Sequence, residues 1–195
     1  MREIVFATNN AHKLRELREI VAGSGINVLS LADIGCHEDI PETATTIEGN
    51  AIIKARFINQ KYGYDCFADD TGLEIDALGG EPGVYSARYA GEECNNERNI
   101  NKVLSKLQGI EKRTARFRTA IALIVDDELS IFHGIVEGEI LTERRGTGGF
   151  GYDSVFKPVE SDSSFAEMSE KEKNAISHRA RAVAAMLPAL LKTAK

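Results

Sequence analysis

Apolar runs of strand length alternate with segments of helical periodicity along most of this chain, and glycines mark many of the joins. Glu3 to Ala7 reads as a buried strand, broken at Thr8-Asn9-Asn10. From Lys13 to Ala22 the residues Leu14, Leu17 and Val21 fall at i, i+3 and i+7, which predicts a helix with Gly23 as its stop. Val28 to Leu31 forms a short second strand, followed by a loop with Pro41-Glu42 and a Thr-rich stretch. Ala51 to Tyr62 is expected to be helical and to end at Gly63. Cys66 to Ala68 is a strand that stops on Asp69-Asp70 and turns at Thr71-Gly72, with Leu73 to Asp76 continuing it after the turn.

Further on, Gly79 to Gly83 is a sharp loop, and Asn95 to Gln108 carries Ile100, Val103, Leu104 and Leu107 on one helical stripe. Ala115 to Val125 and Leu129 to Leu141 flank Asp126-Asp127 and predict a hairpin of two long strands. A Gly-rich loop, Gly146 to Gly151, leads into Val155 to Pro158. Ser169 and Glu172 have the spacing of a capping box. Ser177 to Lys192 reads as a helix that Pro188 should kink or end. There is no internal repeat or linker, so the expectation is one α/β domain over 1–195, a mixed sheet flanked by helices and able to bend into two lobes.

Composition narrows the function more than the fold. With 43% hydrophobic and 28% charged residues, the 195-residue chain has the make-up of a globular protein. No apolar stretch approaches the roughly 20 residues that cross a bilayer, and the N-terminus has no signal-peptide pattern. A net charge of −6 argues against a general binder of nucleic-acid polymers or membrane surfaces. It leaves room for a small anion in a locally basic pocket. Cys36, Cys66 and Cys94 lie far apart, without zinc-ligand spacing, and suit a reducing compartment such as the cytoplasm.

Four constellations can carry chemistry. Asp69 and Asp70 are adjacent carboxylates, which repel unless a metal or a shared proton offsets the repulsion; a solvated Asp-Asp-Thr-Gly turn is the plain alternative. Glu42, on its loop, can complete a magnesium site with Asp70, whereas Glu48 reads better as a first-turn acid favoured by the helix dipole. Thr8-Asn9-Asn10-Ala11-His12-Lys13 opens a helix and offers N–H groups, side-chain donors and a charge to phosphate, or else is a cap with an exposed Lys. His12 itself reads as a surface residue. Gly146-Thr147-Gly148-Gly149-Phe150-Gly151-Tyr152-Asp153 fits G-x-G-x-x-G in form, but a β-like segment follows it, so the dinucleotide reading is rejected. Phe150 instead offers a stacking face and Asp153 acceptors to a planar ring, against the alternative of an aromatic plug in a hairpin loop. Lys173 with Ser177-His178-Arg179 can donate to base carbonyls or phosphate, or be ordinary helix charges.

Taken in order, Thr8-Asn9-Asn10-x-x-Lys13, Glu48-Gly49-Asn50-Ala51-x-x-Lys54-Ala55, Ala68-Asp69-Asp70-Thr71-Gly72-Leu73, Leu78-Gly79-Gly80-x-Pro82-Gly83-x-Tyr85-Ser86-Ala87-Arg88, Gly146 to Asp153 and Ser177-His178-Arg179 closely resemble the inosine triphosphate pyrophosphatase family, from about residue 4 to about residue 192. The resemblance implies an elongated α/β fold with a cleft between two lobes, a homodimer, and Mg²⁺-dependent hydrolysis of dITP, ITP and XTP to the monophosphate and pyrophosphate. It implies that Thr8 to Lys13 grip the triphosphate with help from Lys54. Asp70 would bind metal and act as general base, with Asp69 beside it and Glu42 as second ligand, and Thr71 would touch substrate. Phe150, Gly151, Tyr152 and Asp153 would hold the base, with Lys173, His178 and Arg179 completing its pocket. Three rivals are a Maf-type pyrophosphatase, a catalytically silent nucleotide-binding protein, and an Asp-nucleophile phosphatase. The first is opposed by the Phe150 and Ser177 segments, and the last wants Asp-x-Asp rather than adjacent acids.

Overall fold

The computed structural model describes residues 2–192. In chain order the elements are β1 (Arg2–Phe6), α1 (Ala11–Ile20), β2 (Ile26–Leu29), α2 (Ile47–Tyr62), β3 (Cys66–Ile75), β4 (Pro82–Gly83), α3 (Asn96–Lys106), β5 (Thr114–Val125), β6 (Glu128–Ile140), β7 (Phe156–Pro158), α4 (Glu170–Ile176) and α5 (His178–Lys192). The strands form one mixed sheet in the order β2-β1-β3-β5-β6-β7, with β4 paired to β3. The α/β class and the mixed sheet are as expected. The chain divides into two compact units, whose boundaries fall inside β3, β5 and β6 and between His178 and Arg179.

The first unit holds residues 1–70, 119–134 and 179–195. Here β1 runs parallel to both β2 and β3. Because side chains alternate across a strand, each face of this sheet has its own core. Ile4, Phe6 and Phe67 pack with Leu17 of α1 and Val183, Met186 and Leu190 of α5. Val5, Cys66 and Ala68 pack instead with Ala51, Ala55 and Ile58 of α2. The second unit, residues 71–118 and 135–178, is built on Leu73, Ile75, Phe117, Val136, Tyr152, Phe156 and Phe165, closed by the Ile100, Val103 and Leu107 stripe of α3.

Local signals explain most boundaries. Asn10 caps α1 by accepting from the His12 and Lys13 amides, so the helix begins two residues earlier than periodicity alone placed it. Thr46 caps α2 through the Gly49 amide, so that helix begins at Ile47 rather than Ala51; Gly63 ends it in the left-handed region (φ +72°). Strand β2 lies two residues earlier than expected, in register with β1. The Ser169–Glu172 capping box is present, and Asp126 and Asp127 adopt positive φ at the hairpin. Helix α5 continues past Pro188 to Lys192, with buried Met186 and Leu190 on either side of the proline holding it to the sheet.

The main correction concerns Thr71-Gly72. They make no turn: β3 runs unbroken from Cys66 to Ile75, and the two acids sit in mid-strand. Gly72 serves sheet pairing instead. A Cβ there would lie 2.8 Å from the Gly83 carbonyl oxygen, so glycine is what lets β4 approach.

Candidate active site

A continuous β3 sends Asp69 and Asp70 to opposite faces of the sheet, so they do not form the joint pair that adjacency suggested. Each has its own environment, built within the first unit. Asp69 is fully buried on the α1/α5 face. Its Oδ1 accepts from the Lys13 ammonium at 2.9 Å, and its Oδ2 from Arg179 Nε at 2.9 Å. Glu16, buried on α1, takes Arg179 Nη1. Two cations and two anions therefore alternate in this pocket. Burial works to raise the Asp69 carboxyl, but Lys13, Arg179 and Lys54 hold it far below the ordinary value of 3.8.

Asp70 lies on the α2 face. Its Oδ2 accepts from the buried Asn50 amide at 3.1 Å. One helical turn beyond Asn50, Lys54 Nζ donates to Glu42 Oε1 at 2.5 Å and to the Asp69 backbone carbonyl at 2.7 Å. Burial pushes the Asp70 carboxyl above its ordinary value; Lys54 and Lys13 oppose this and Glu42 adds to it. Burial alone would push the Lys54 ammonium down, but the field of Asp70, then of Glu42 and Asp69, leaves it above its usual value and charged. Asp69 is thus a neutralised structural anion, and Asp70 is the carboxylate with proton affinity to spare.

This donor set fits magnesium. Asp70 and Glu42 supply hard oxygen atoms close enough to interact electrostatically. Among the described residues no three His, Cys, Asp or Glu side chains gather as an all-protein metal cage. Magnesium is usually held by one or two carboxylates, with water and substrate phosphate filling the remaining positions.

The Thr8 to Lys13 loop is organised by its own hydrogen bonds. Thr8 Oγ1 accepts the Asn10 amide at 3.1 Å, Asn10 is occupied as the cap, and Asn9 Nδ2 reaches Asp39 at 3.3 Å. Ala11 opens α1, and His12 is exposed with its ring nitrogen 3.4 Å from Arg15. From the end of this loop the Lys13 side chain reaches Asp69. Glu48 lies in the first turn of α2, as expected.

The second unit carries the other half of the candidate residues. The Lys173 ammonium donates to Asp153 Oδ2 at 2.7 Å, both residues being buried, and sits 4.9 Å from the centre of the Phe150 ring. The same Oδ2 accepts the Phe150 amide at 2.9 Å. The loop must close tightly over this carboxylate. Gly149 has φ +68°, and a Cβ there would fall 2.1 Å from Asp153 Oδ2. His178 stacks on Phe117 with ring centres 4.7 Å apart. Tyr152 is a core residue whose hydroxyl donates to the Ser86 carbonyl at 2.6 Å. Gly151 has φ +60°, and Thr71 sits half-buried in β3.

Arg179 opens the last segment of the first unit. Its Nε and Nη1 are committed to Asp69 and Glu16. Sequence reasoning missed Glu16. The available signal was its place three residues after Lys13 on the helix face that buries Leu17.

One consequence is measurable. A carboxyl whose folded pKa is depressed contributes stability that is fully present above its ordinary value of 3.8 and is lost as pH falls through the folded value. The melting temperature is therefore expected to fall as pH drops below about 4, and Asp69→Asn should flatten that fall. Thermal melts between pH 7 and 3 on both proteins read the difference, and parallel curves would remove Asp69 as the cause.

A strand carrying one neutralised and one poised carboxylate, flanked by two lysines and a phosphate-type helix start, is the equipment of a phosphate-handling α/β enzyme. Comparison with known proteins specifies it further. A model described as the Ham1 family matches residues 4–189, and the chain belongs to that family. It is 54% identical over 191 residues to a dITP/XTP pyrophosphatase of Flavobacterium johnsoniae, covering 98% of this chain and 99% of the relative. It is 51% identical to the protein of that name from Bacillus subtilis, covering 94% of each. Among solved structures, a HAM1 protein from Coxiella burnetii superposes with a TM-score of 0.89 at 40% identity, over 99% of this chain and all of that one. The Staphylococcus aureus Ham1 protein does so at 0.87 and 39%, over all of both chains.

Proposed function

We propose that this protein hydrolyses the non-standard purine nucleoside triphosphates dITP, ITP and XTP to the monophosphate and pyrophosphate, with Mg²⁺ held by Asp70 and Glu42. The observation that carries the reading is the division of labour between the acids: Asp69 is tied to Lys13 and Arg179, while burial raises Asp70. A carboxylate of raised proton affinity is suited to orienting a water and accepting its proton. The Lys13 and Lys54 ammonium groups supply positive charge for the triphosphate, whose leaving pyrophosphate gains charge in the transition state. A bound magnesium ion adds Lewis-acid neutralisation of phosphate oxygens.

In the second unit, Phe150 provides the stacking face for the purine, and Lys173 and His178 supply donors for its 6-oxo group. Adenine would present an amino group to a donor, and a buried donor left unsatisfied costs about 1–3 kcal/mol. This favours hypoxanthine and xanthine over adenine. Phe150→Ala is expected to raise KM for ITP about fivefold or more, with kcat changed less than about twofold. An unchanged KM would strike Phe150 from the base site.

Hydrolysis in ¹⁸O-labelled water tests the bond cleaved. Attack at the α-phosphorus puts the label in IMP; label in pyrophosphate, or release of orthophosphate, would contradict the reading. The reading includes a homodimer acting in the cytoplasm, and light scattering after size-exclusion chromatography reads the oligomeric state. Among the described residues no helix is long and apolar enough to cross a membrane.

A further inference from the structure

In the Glu48-Gly49-Asn50-Ala51 segment, at the start of α2, Asn50 is completely buried and makes two hydrogen bonds of a particular kind. The side-chain oxygen accepts the Ala44 amide at 2.9 Å, and the side-chain nitrogen donates to Asp70 Oδ2 at 3.1 Å. The orientation of the amide is fixed by its partners. Reversing it would set nitrogen against a backbone donor and oxygen against a carboxylate. One side chain thus joins the strand that carries Asp70 to the loop that carries Glu42, two residues before Ala44.

The neighbouring residues make this join possible. Thr46 turns the chain into α2 by capping through the Gly49 amide at 3.0 Å. Gly49 lets the loop lie against the helix, since a Cβ there would be 2.5 Å from the Ala44 Cβ. One turn on, Lys54 binds Glu42 itself at 2.5 Å. All of these residues lie in the first unit.

We infer that Asn50 is a positioning residue that sets Asp70 and Glu42 relative to one another for cation binding, and that Gly49 is required for the same arrangement. The inference rests on the reading of Asp70 and Glu42 as the metal carboxylates. Groups that orient metal ligands are typically worth about 10–100-fold in metal affinity.

The test titrates Mn²⁺ into nucleotide-free protein, reads free Mn²⁺ by electron paramagnetic resonance, and pairs each isotherm with a thermal melt. Two variants probe the two hydrogen bonds. Asn50→Ala removes both bonds. Gly49→Ala leaves the donor to Asp70 in place and pushes on Ala44. Each is expected to weaken Mn²⁺ binding about tenfold or more. Each should also raise the Mg²⁺ concentration for half-maximal turnover, with KM for nucleotide at saturating Mg²⁺ changed less than about threefold. Gly63→Ala, at the other end of α2 where φ is +72°, is the stability control; it should lower the melting temperature without moving the isotherm. Wild-type affinity in folded Asn50 and Gly49 variants would overturn the inference while leaving the metal site standing. An equal loss in the control would reduce Asn50 to a structural residue. Absence of Mn²⁺ binding by the wild type would remove the metal reading itself, and this inference with it.

Discussion

Asp70→Asn is expected to lower turnover of ITP by about 10³-fold or more, because one substitution removes both the proton acceptor and a metal oxygen. Stability should move the other way. A carboxyl whose folded pKa is raised by burial favours its protonated form in the folded state, so its contribution is present at low pH and is lost as pH rises through the folded value. At neutral pH the Asp70 charge therefore works against the metal-free fold. Asn50 donates to Asp70 Oδ2, and the carboxamide oxygen of the substituted side chain can accept the same bond. The melting temperature of metal-free Asp70→Asn should equal or exceed that of the wild type. A variant that kept more than a tenth of wild-type kcat would show that another group takes the proton.

Asp69→Asn is expected to produce the converse. Lys13 and Arg179 both bond to the Asp69 carboxylate, and Glu16 is left as the other anion in that pocket. Removing one partner from a buried ionic network leaves charge uncompensated, at a cost of about 3–5 kcal/mol. For a protein of this size that is roughly 6–20 °C in melting temperature. Activity should fall as well, since Lys13 loses its anchor, but by less than in Asp70→Asn at temperatures where the variant is folded. A melting temperature within about 2 °C of wild type would show that the network does not stabilise the first unit. Neighbours in sequence thus have separable roles: loss of Asp69 is read in the melt, loss of Asp70 in the rate.

Much of this was legible from residue pattern alone, and the exceptions have identifiable causes. Periodicity and capping residues located most helices and strands to within a few positions, because those signals are local; the short strand β4 instead fell inside the expected Gly79 to Gly83 loop, since its pairing with β3 is not a local signal. The Thr71-Gly72 turn was misread because the residue that explains Gly72 is Gly83, a partner across β4 that no local pattern reveals. Once β3 is continuous, the opposite orientations of Asp69 and Asp70 follow from the period of a strand. Which face meets α1 and α5 and which meets α2 still depends on topology. Arg179 and Glu16 illustrate the same limit: they are 163 residues apart, and nothing in either segment announces the contact. The candidate catalytic and base-holding residues were named from the resemblance to a family. The structure adds which of them share an environment: Asp70, Asn50, Lys54 and Glu42 on one face of β3, Asp69, Lys13, Arg179 and Glu16 on the other, and Asp153, Lys173 and Phe150 together in the second unit.

Pyrophosphate release from ITP, XTP, GTP and ATP, each with Mg²⁺ and with chelator, tests the central claim most directly. Fast turnover of ITP and XTP that chelator abolishes, with GTP and ATP slow, is the result predicted here. Comparable turnover of all four would contradict base selection by Phe150, Lys173 and His178, and no turnover of any would contradict the assignment of Asp70 to catalysis.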